Sequence, residues 1–424
     1  MPNEWETIAI FVLLALMLGS FIWRRIPDEF TALAGFAIVV TTQILPLEAS
    51  LRAIANPGIA AIAGMLVIGS SLEKAGAIAL AKKAFERLPQ AKPSYSILGM
   101  ILVIALVSAL LNNTAVVVLL APVVISYGQH SKLPPGKLLM PLSFAAILGG
   151  SCTLIGTSTN LVVSAYGESL GHPPFTFFEL SKVGLPLLAI SSVYLAFVGQ
   201  RMLPDNPTPP GLSKVHRIEH VNSKRIAIGF AILCGIVLFS AFELLPIAVS
   251  APAGSLFLIA AKCISPRDAL SSLNWRLLLL IASMLGVGAA FQSSGASTIA
   301  ASSIEYSLSL SPFPEYNGLL TIAIVFVATS LLTEILTNNA AAITMAAIAA
   351  SLSAQLDLNL KPLLIAIAVA ASSSYSTPIG YQTNTYVAHL AGYRFTDFLR
   401  VGTPMNVIAT IVAVPIIAYF WPLR

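Results

Sequence analysis

Two short stretches carry the residues best placed to do chemistry: "LIGTSTN" at 154–160 and "PIGYQTN" at 378–384. Each sets a glycine, hydroxyl side chains and a closing Asn directly after a long apolar run. Two more, "LLNNTAVV" at 110–117 and "LTNNAAAI" at 336–343, place Asn and Thr in the middle of apolar segments. In "SALLNNT", Ser108 stands four residues before Asn112, with Asn113 and Thr114 following; in "TEILTNN", Thr333 stands four before Thr337, with Asn338 and Asn339 following. That spacing puts hydroxyl and tip residue on one helix face. Neutral oxygens of this kind suit a small hard cation, and backbone N–H groups at helix starts suit an anion.

These residues lie in a chain built for a bilayer. Of 424 residues, 57% are hydrophobic and 10% charged, against about 25% charged in a soluble domain. The start, "MPNEWETIAIFVLLALMLGSFIWRR", has acids before its apolar stretch and basic residues after it, the reverse of a secretory signal, and is expected to be a retained span. Cys152, Cys234 and Cys263 give neither a disulfide framework nor metal-ligand spacing. Walker, HExxH and Gly-rich nucleotide motifs are missing from the sequence, and no nucleophile–base pair is visible, so a transporter without organic cofactor is expected rather than an enzyme. The net charge of +5 reads as loop charge that orients spans. The expected partners are membrane lipid and a small solute, not nucleic acid.

Ten stretches approach the roughly 20 apolar residues of a spanning helix: 7–23, 30–45, 58–72, 137–167, 180–200, 226–241, 245–261, 277–291, 361–388 and 401–421. Two others, about 95–127 and 319–353, are cut by polar residues and read as re-entrant hairpins turning back at mid-membrane. With that topology 19 of the 23 Lys and Arg fall on one side and four on the other, and the basic side is cytoplasmic. Both termini then lie outside the cytoplasm, in a cell (inner) membrane. Five crossings per half invert the second half, a common plan of secondary transporters. The expected fold is thus an all-α polytopic membrane protein, an inverted repeat of two five-helix halves. The first half is 1–202, with a hairpin at about 95–127 and an unwound helix at about 137–167. The second is 226–424, with a hairpin at about 319–353 and an unwound helix at about 361–388. The Pro-rich segment 203–225 is a cytoplasmic linker, and "AKKAFERLPQAK" (81–92) reads as an interfacial amphipathic helix.

Irregular backbone survives in a bilayer only when buried in protein or lining a wet cavity. If the four breaks meet, half-helices beginning after Thr114, Asn160, Asn339 and Asn384 turn positive ends toward an anion, and freed carbonyls turn toward a cation. No Lys or Arg is expected in such a site. Single Ser, Thr and Asn residues also serve as glue between membrane helices. Glu334 is the one acid placed deep in the membrane; a coupling-proton role and a backbone-satisfying role both remain open. Glu243 is placed at the outer surface, and the histidines in loops or near helix ends.

The tips N-N-T (112–114) and T-N-N (337–339), each paired with an unwound helix closing in Asn160 or Asn384, resemble the divalent anion/sodium symporters of the ion transporter superfamily. "MPLSFAAILGGSCTLIGTSTNL" and "STPIGYQTNTYVAHLAGYRFTDFLRVG" look most like the sulfate-permease branch, here without its inserted soluble regulatory domains. The resemblance implies a homodimer with an elevator mechanism. It implies one sodium site at Ser108, Asn112, Asn113 and Gly156, and a second at Thr333, Leu336 (by its carbonyl), Asn338 and Gly380. It places the anion near Asn113, Thr114, Thr157, Asn338, Asn339 and Gln382. Asn112 and Thr337 stand where that family has tip serines, and both keep an oxygen. The implied function is sodium-coupled symport of a divalent anion, sulfate first. The alternatives are a sodium/dicarboxylate symporter, a proton-coupled anion carrier or cation/proton antiporter of the same superfamily and, less favoured, an anion channel.

Overall fold

The computed structural model describes residues 4–23, 25–86, 92–131, 133–205, 221–242, 244–299, 302, 306 and 317–423. Most of the 203–225 linker, Glu243 and residues 87–91 of the expected amphipathic helix lie outside the described residues.

Among the described residues ten α-helices precede the linker. They are α1 (Glu4–Trp23), α2 (Asp28–Thr41), α3 (Leu47–Ile54), α4 (Pro57–Lys74), α5 (Ala77–Glu86), α6 (Pro93–Ser108), α7 (Asn113–Ser131), α8 (Leu139–Gly150), α9 (Ser158–Ser169) and α10 (Ser181–Met202). After it come α11 (Ser223–Ala241), α12 (Ile247–Ala260), α13 (Pro266–Ser272), α14 (Trp275–Ser293), α15 (Asn317–Thr333), α16 (Asn338–Leu356), α17 (Leu360–Ser372), α18 (Gln382–Ala391) and α19 (Phe395–Phe420). No strand occurs among the described residues.

The order of long and short helices repeats: α1–α4 match α11–α14, and α6–α10 match α15–α19. Local signals repeat with it. Asn56 caps α4 by accepting from Gly58 N–H at 2.7 Å, and Asn274 caps α14 by accepting from Leu277 N–H at 3.1 Å, which supplies an acceptor to an otherwise unpaired helix-start donor. The halves also exchange partners, since α2 packs on α14 and its counterpart α12 packs on α4. Gly392 ends α18 with φ +65°, a left-handed turn that glycine adopts without strain.

Both cut stretches are hairpins. Gly318, at the start of α15, lies beside Leu423, and the N–H of Asn359, just past α16, donates to Leu423 O at 2.7 Å. The two ends of the second hairpin therefore meet at the end of α19. In the first half, Gln200 at the end of α10 donates to Ser94 Oγ at 2.5 Å at the start of α6. Asp205 pairs at 3.0 Å with Lys137, just past α7. Arms of 16 to 19 residues are about 24–28 Å long, nearly the roughly 30 Å of hydrocarbon. Arms of that length suffice for a tip at mid-membrane or beyond.

Among the described residues, seven segments are long and apolar enough to cross a membrane: six of the ten expected spans and one hairpin arm, α16. Expected spans 30–45 and 245–261 are 14-residue helices, while 137–167 and 361–388 are each split into two short helices. Large apolar side chains such as Leu16, Leu106, Leu256, Leu331 and Ile411 are exposed on the outside, as a lipid-facing surface requires.

Candidate ion and substrate site

Each split helix leaves an unwound segment, 151–157 between α8 and α9 and 373–381 between α17 and α18. The closing Asn of each motif repairs its own break. Asn160 Nδ2 donates to Thr153 O at 2.8 Å and Gly150 O at 3.3 Å. Asn384 Nδ2 donates to Ser374 O at 2.9 Å and Thr377 O at 3.3 Å. Both are fully buried, so these bonds satisfy carbonyls that find no water. The motif hydroxyls tie the breaks to the tips. Thr153 Oγ1 accepts from Gly156 N–H at 3.1 Å and donates to Ala109 O. Thr377 Oγ1 accepts from Gly380 N–H and donates to Glu334 O, at 3.1 and 3.0 Å.

At the first tip, the Asn113 amide nitrogen lies 2.6 Å from Ser108 Oγ, 3.0 Å from Gly156 O and 3.1 Å from Ala146 O, while its oxygen accepts from the Tyr381 hydroxyl at 2.7 Å. The two carbonyls can only accept, which sets the amide's orientation. At the second tip, Thr333 Oγ1 lies 2.9 Å from Asn338 Oδ1 and donates to Ala371 O at 2.7 Å. Gly380 packs against the Thr333 carbonyl. Each half thus gathers a hydroxyl, a tip Asn, a carbonyl from the helix before the break and a glycine of the break. In the first cluster the oxygens are those of Ser108, Gly156 and Ala146, since the Asn113 oxygen turns to Tyr381; neutral oxygens in that number and closeness fit a small hard cation.

Helices α7, α9, α16 and α18 begin at Asn113, Ser158, Asn338 and Gln382, two or three residues earlier than expected. Their first turns therefore carry the motif side chains. All four open on one cavity of about 610 Å³. The halves cross-link there: Thr114 Oγ1 to Gln382 Oε1, and Asn339 Oδ1 to Ser158 Oγ and to Thr159 Oγ1, each at 3.3 Å. Thr157 Oγ1 lies 3.2 Å from the Tyr381 hydroxyl. Asn112, Asn113, Gly156, Asn338 and Gly380 line the same cavity, whereas Ser108, Thr333 and Leu336 are buried behind it. The Asn112 side chain caps α7, accepting from Thr114 N–H at 2.9 Å; in this structure its oxygen faces the helix rather than the cation cluster.

The sequence matches the citrate transporter family, CitMHS, over residues 18–370. The chain belongs to the CitMHS family. It is a membrane transporter, and its relatives include an uncharacterised transporter of Synechocystis, 21% identical over 96% of this chain and 95% of that protein. Another is sodium/sulfate cotransporter 1 of Chlamydomonas reinhardtii, 28% identical over 48% of this chain and 24% of that protein. Among solved structures, the YdaH transporter of Alcanivorax borkumensis superposes with a TM-score of 0.65 at 13% identity, covering 98% of this chain and 99% of that one. MtrF of Neisseria gonorrhoeae gives 0.63 at 11% identity, covering 100% and 96%. At such identities these two structures share the fold.

In this CitMHS chain the cavity also holds groups that the motifs do not announce. Tyr381 bridges the halves from the position that Thr157 occupies in the first motif, one of three positions at which the two motifs differ. Asp28, Glu29 and Arg276 line the cavity mouth, which corrects the expectation of a site without Lys or Arg. All three lie just outside the expected spans 30–45 and 277–291, but the packing of α2 on α14 brings both helix starts to the cavity. Glu29 Oε1 lies 3.3 Å from Arg276 Nε, and Asp28 Oδ2 accepts from Thr337 Oγ1 at 2.6 Å. Among the described residues Glu334 is one of four buried acids, with Glu179 equally enclosed and Glu29 and Asp397 nearly so.

Proposed function

We propose that the protein is a secondary active transporter that carries a divalent anion, sulfate first, together with sodium ions. The reading rests chiefly on one observation: two oxygen clusters of the same construction flank one cavity onto which four helix N-termini open. Sodium/sulfate cotransporters among the relatives support both ions. Ser108, Gly156 and Asn113, whose amide turns its oxygen inward when the ion enters, hold one cation, with Asn112 supporting the tip; Thr333, Leu336, Asn338 and Gly380 hold the other. The anion lies among Asn113, Thr114, Thr157, Asn338, Asn339 and Gln382.

Neutral donors and helix ends stabilise a dianion only in part, so bound cations supply the opposing charge. By linkage, the anion raises cation affinity as much as the cations raise its own. Neither partly loaded form crosses as easily as the full one, which is symport.

In this reading the halves are 1–202 and 226–424, joined by the cytoplasmic linker 203–225, and the protein is a homodimer working as an elevator in the inner membrane, with both termini outside the cytoplasm. The base of the second hairpin, at Lys361 and Leu423, is then extracellular. Its tip nevertheless touches Asp28, just past the cytoplasmic Arg25. A hairpin drawn that far across marks an inward-facing state.

Uptake of labelled sulfate into liposomes, with sodium replaced by choline, tests the coupling; unchanged uptake rejects sodium. A di- or tricarboxylate is the second reading, favoured by Arg276 at the mouth, whose planar fork pairs well with carboxylates. Competition of labelled sulfate with cold dicarboxylates and citrate separates the two.

A further inference from the structure

We infer that Glu334 is the fixed counter-charge of the second cation site, so that this site takes its cation before the anion arrives, while the first site fills only with the anion. The inference rests on the symport reading and deepens it.

The two tips are built alike, with Ser108 and Asn113 in one and Thr333 and Asn338 in the other. Between them stands Ala109 in the first half and Glu334 in the second. Glu334 is 7% exposed. Its Oε1 accepts from Asn406 Nδ2 at 2.7 Å, Ser376 N–H at 2.9 Å and Tyr375 N–H at 3.0 Å; its Oε2 accepts from Ser374 Oγ at 3.1 Å. All four donors are neutral, and among the described residues no basic side chain pairs with it.

Satisfying the break does not require a charge. In the first half the equivalent N–H groups, those of Ser151 and Cys152, donate to Ile147 O and Gly149 O at 3.1 and 3.0 Å. The second half places a carboxylate there instead. Dipoles hydrogen-bond such a charge without cancelling it, and in a low-dielectric interior it favours a nearby cation. The oxygen cluster at Gly380 is the adjacent place for one. Ser374 Oγ, which donates to Glu334, also fills the space where a Gly380 side chain would stand. A monovalent cation roughly 6 Å from the carboxylate, at an effective dielectric of about 20, gains about a hundredfold in affinity. The first cluster, all neutral, has no such term and depends on the anion.

The test follows thermal unfolding of the purified protein as sodium replaces choline at constant ionic strength, without and with sulfate. Sodium alone is expected to stabilise the wild type. Glu334→Gln keeps the shape and removes the charge, and the sodium concentration for half-maximal stabilisation without sulfate is expected to rise tenfold or more. Asn406→Ala keeps the charge and removes a donor, and its half-maximal sodium concentration is expected to fall. That opposite sign is one a purely structural carboxylate would not give. Sodium stabilisation in wild type with an unchanged midpoint in Glu334→Gln overturns the inference and leaves symport standing. Should that variant not fold, an unchanged or raised midpoint in Asn406→Ala overturns it equally. A wild type that sodium fails to stabilise, with or without sulfate, rejects sodium coupling and the inference with it.

Discussion

Thr337 Oγ1, at the tip of the second hairpin, donates to Asp28 Oδ2 at 2.6 Å, at the first turn of α2. The bond joins a hairpin tip to a helix of the other half. If the hairpin moves with its cargo, this contact breaks once per cycle. Cysteines at 28 and 337, in a chain with Cys152, Cys234 and Cys263 replaced, are expected to cross-link under oxidation. Uptake should then fall at least about tenfold, a change of about 1.4 kcal/mol, and return on reduction. Full uptake by the cross-linked protein would show that the tip stays where it is.

Asn160 and Asn384 each donate to two carbonyls of their own break. Alanine at either position leaves those acceptors bare and is expected to destabilise the fold by about 1–3 kcal/mol. Aspartate, nearly the same shape, sets an acceptor against two acceptors and should be worse. Thermal unfolding in detergent measures both. An aspartate variant as stable as wild type would mean that the amides are not what closes the breaks.

The Tyr381 hydroxyl meets Asn113 at 2.7 Å and Thr157 at 3.2 Å across the two halves. Tyr381→Phe keeps the ring and removes both bonds, each worth about 0.5–1.5 kcal/mol. The unfolding temperature is expected to fall modestly, as the loss of two internal bonds requires, and the apparent substrate affinity to weaken roughly three- to tenfold. Unaltered uptake kinetics would place the hydroxyl outside the transport site.

Gly402 lets α19 press on the second unwound segment: a side chain there would overlap the Tyr375 carbonyl oxygen. Gly402→Ala is expected to destabilise by about 1–3 kcal/mol through overpacking and to disturb the 373–381 segment that carries Gly380. Wild-type stability of this variant would show that α19 yields easily.

Much of this was readable in one dimension. Composition gives the bilayer, polar interruptions of apolar runs give the breaks, and matching interruptions give the repeat, because a broken helix in hydrocarbon needs polar residues to satisfy its backbone. Tyr381, Ala146 and Ala371 were not readable as site groups. Backbone carbonyls carry no residue signature, and a tyrosine in a break looks like any other interfacial aromatic. Asp28, Glu29 and Arg276 were not readable as site groups either, because nothing in their neighbourhoods tells that α2 and α14 lie side by side. Glu334 was visible as a buried acid, but its four donors come from residues 374–376 and 406, remote in the chain. The sequence alone determined where the backbone must break and which neutral oxygens stand there, since that chemistry is local. Only the tertiary structure decided which breaks face each other and which charges stand at the mouth, since both depend on packing between segments hundreds of residues apart.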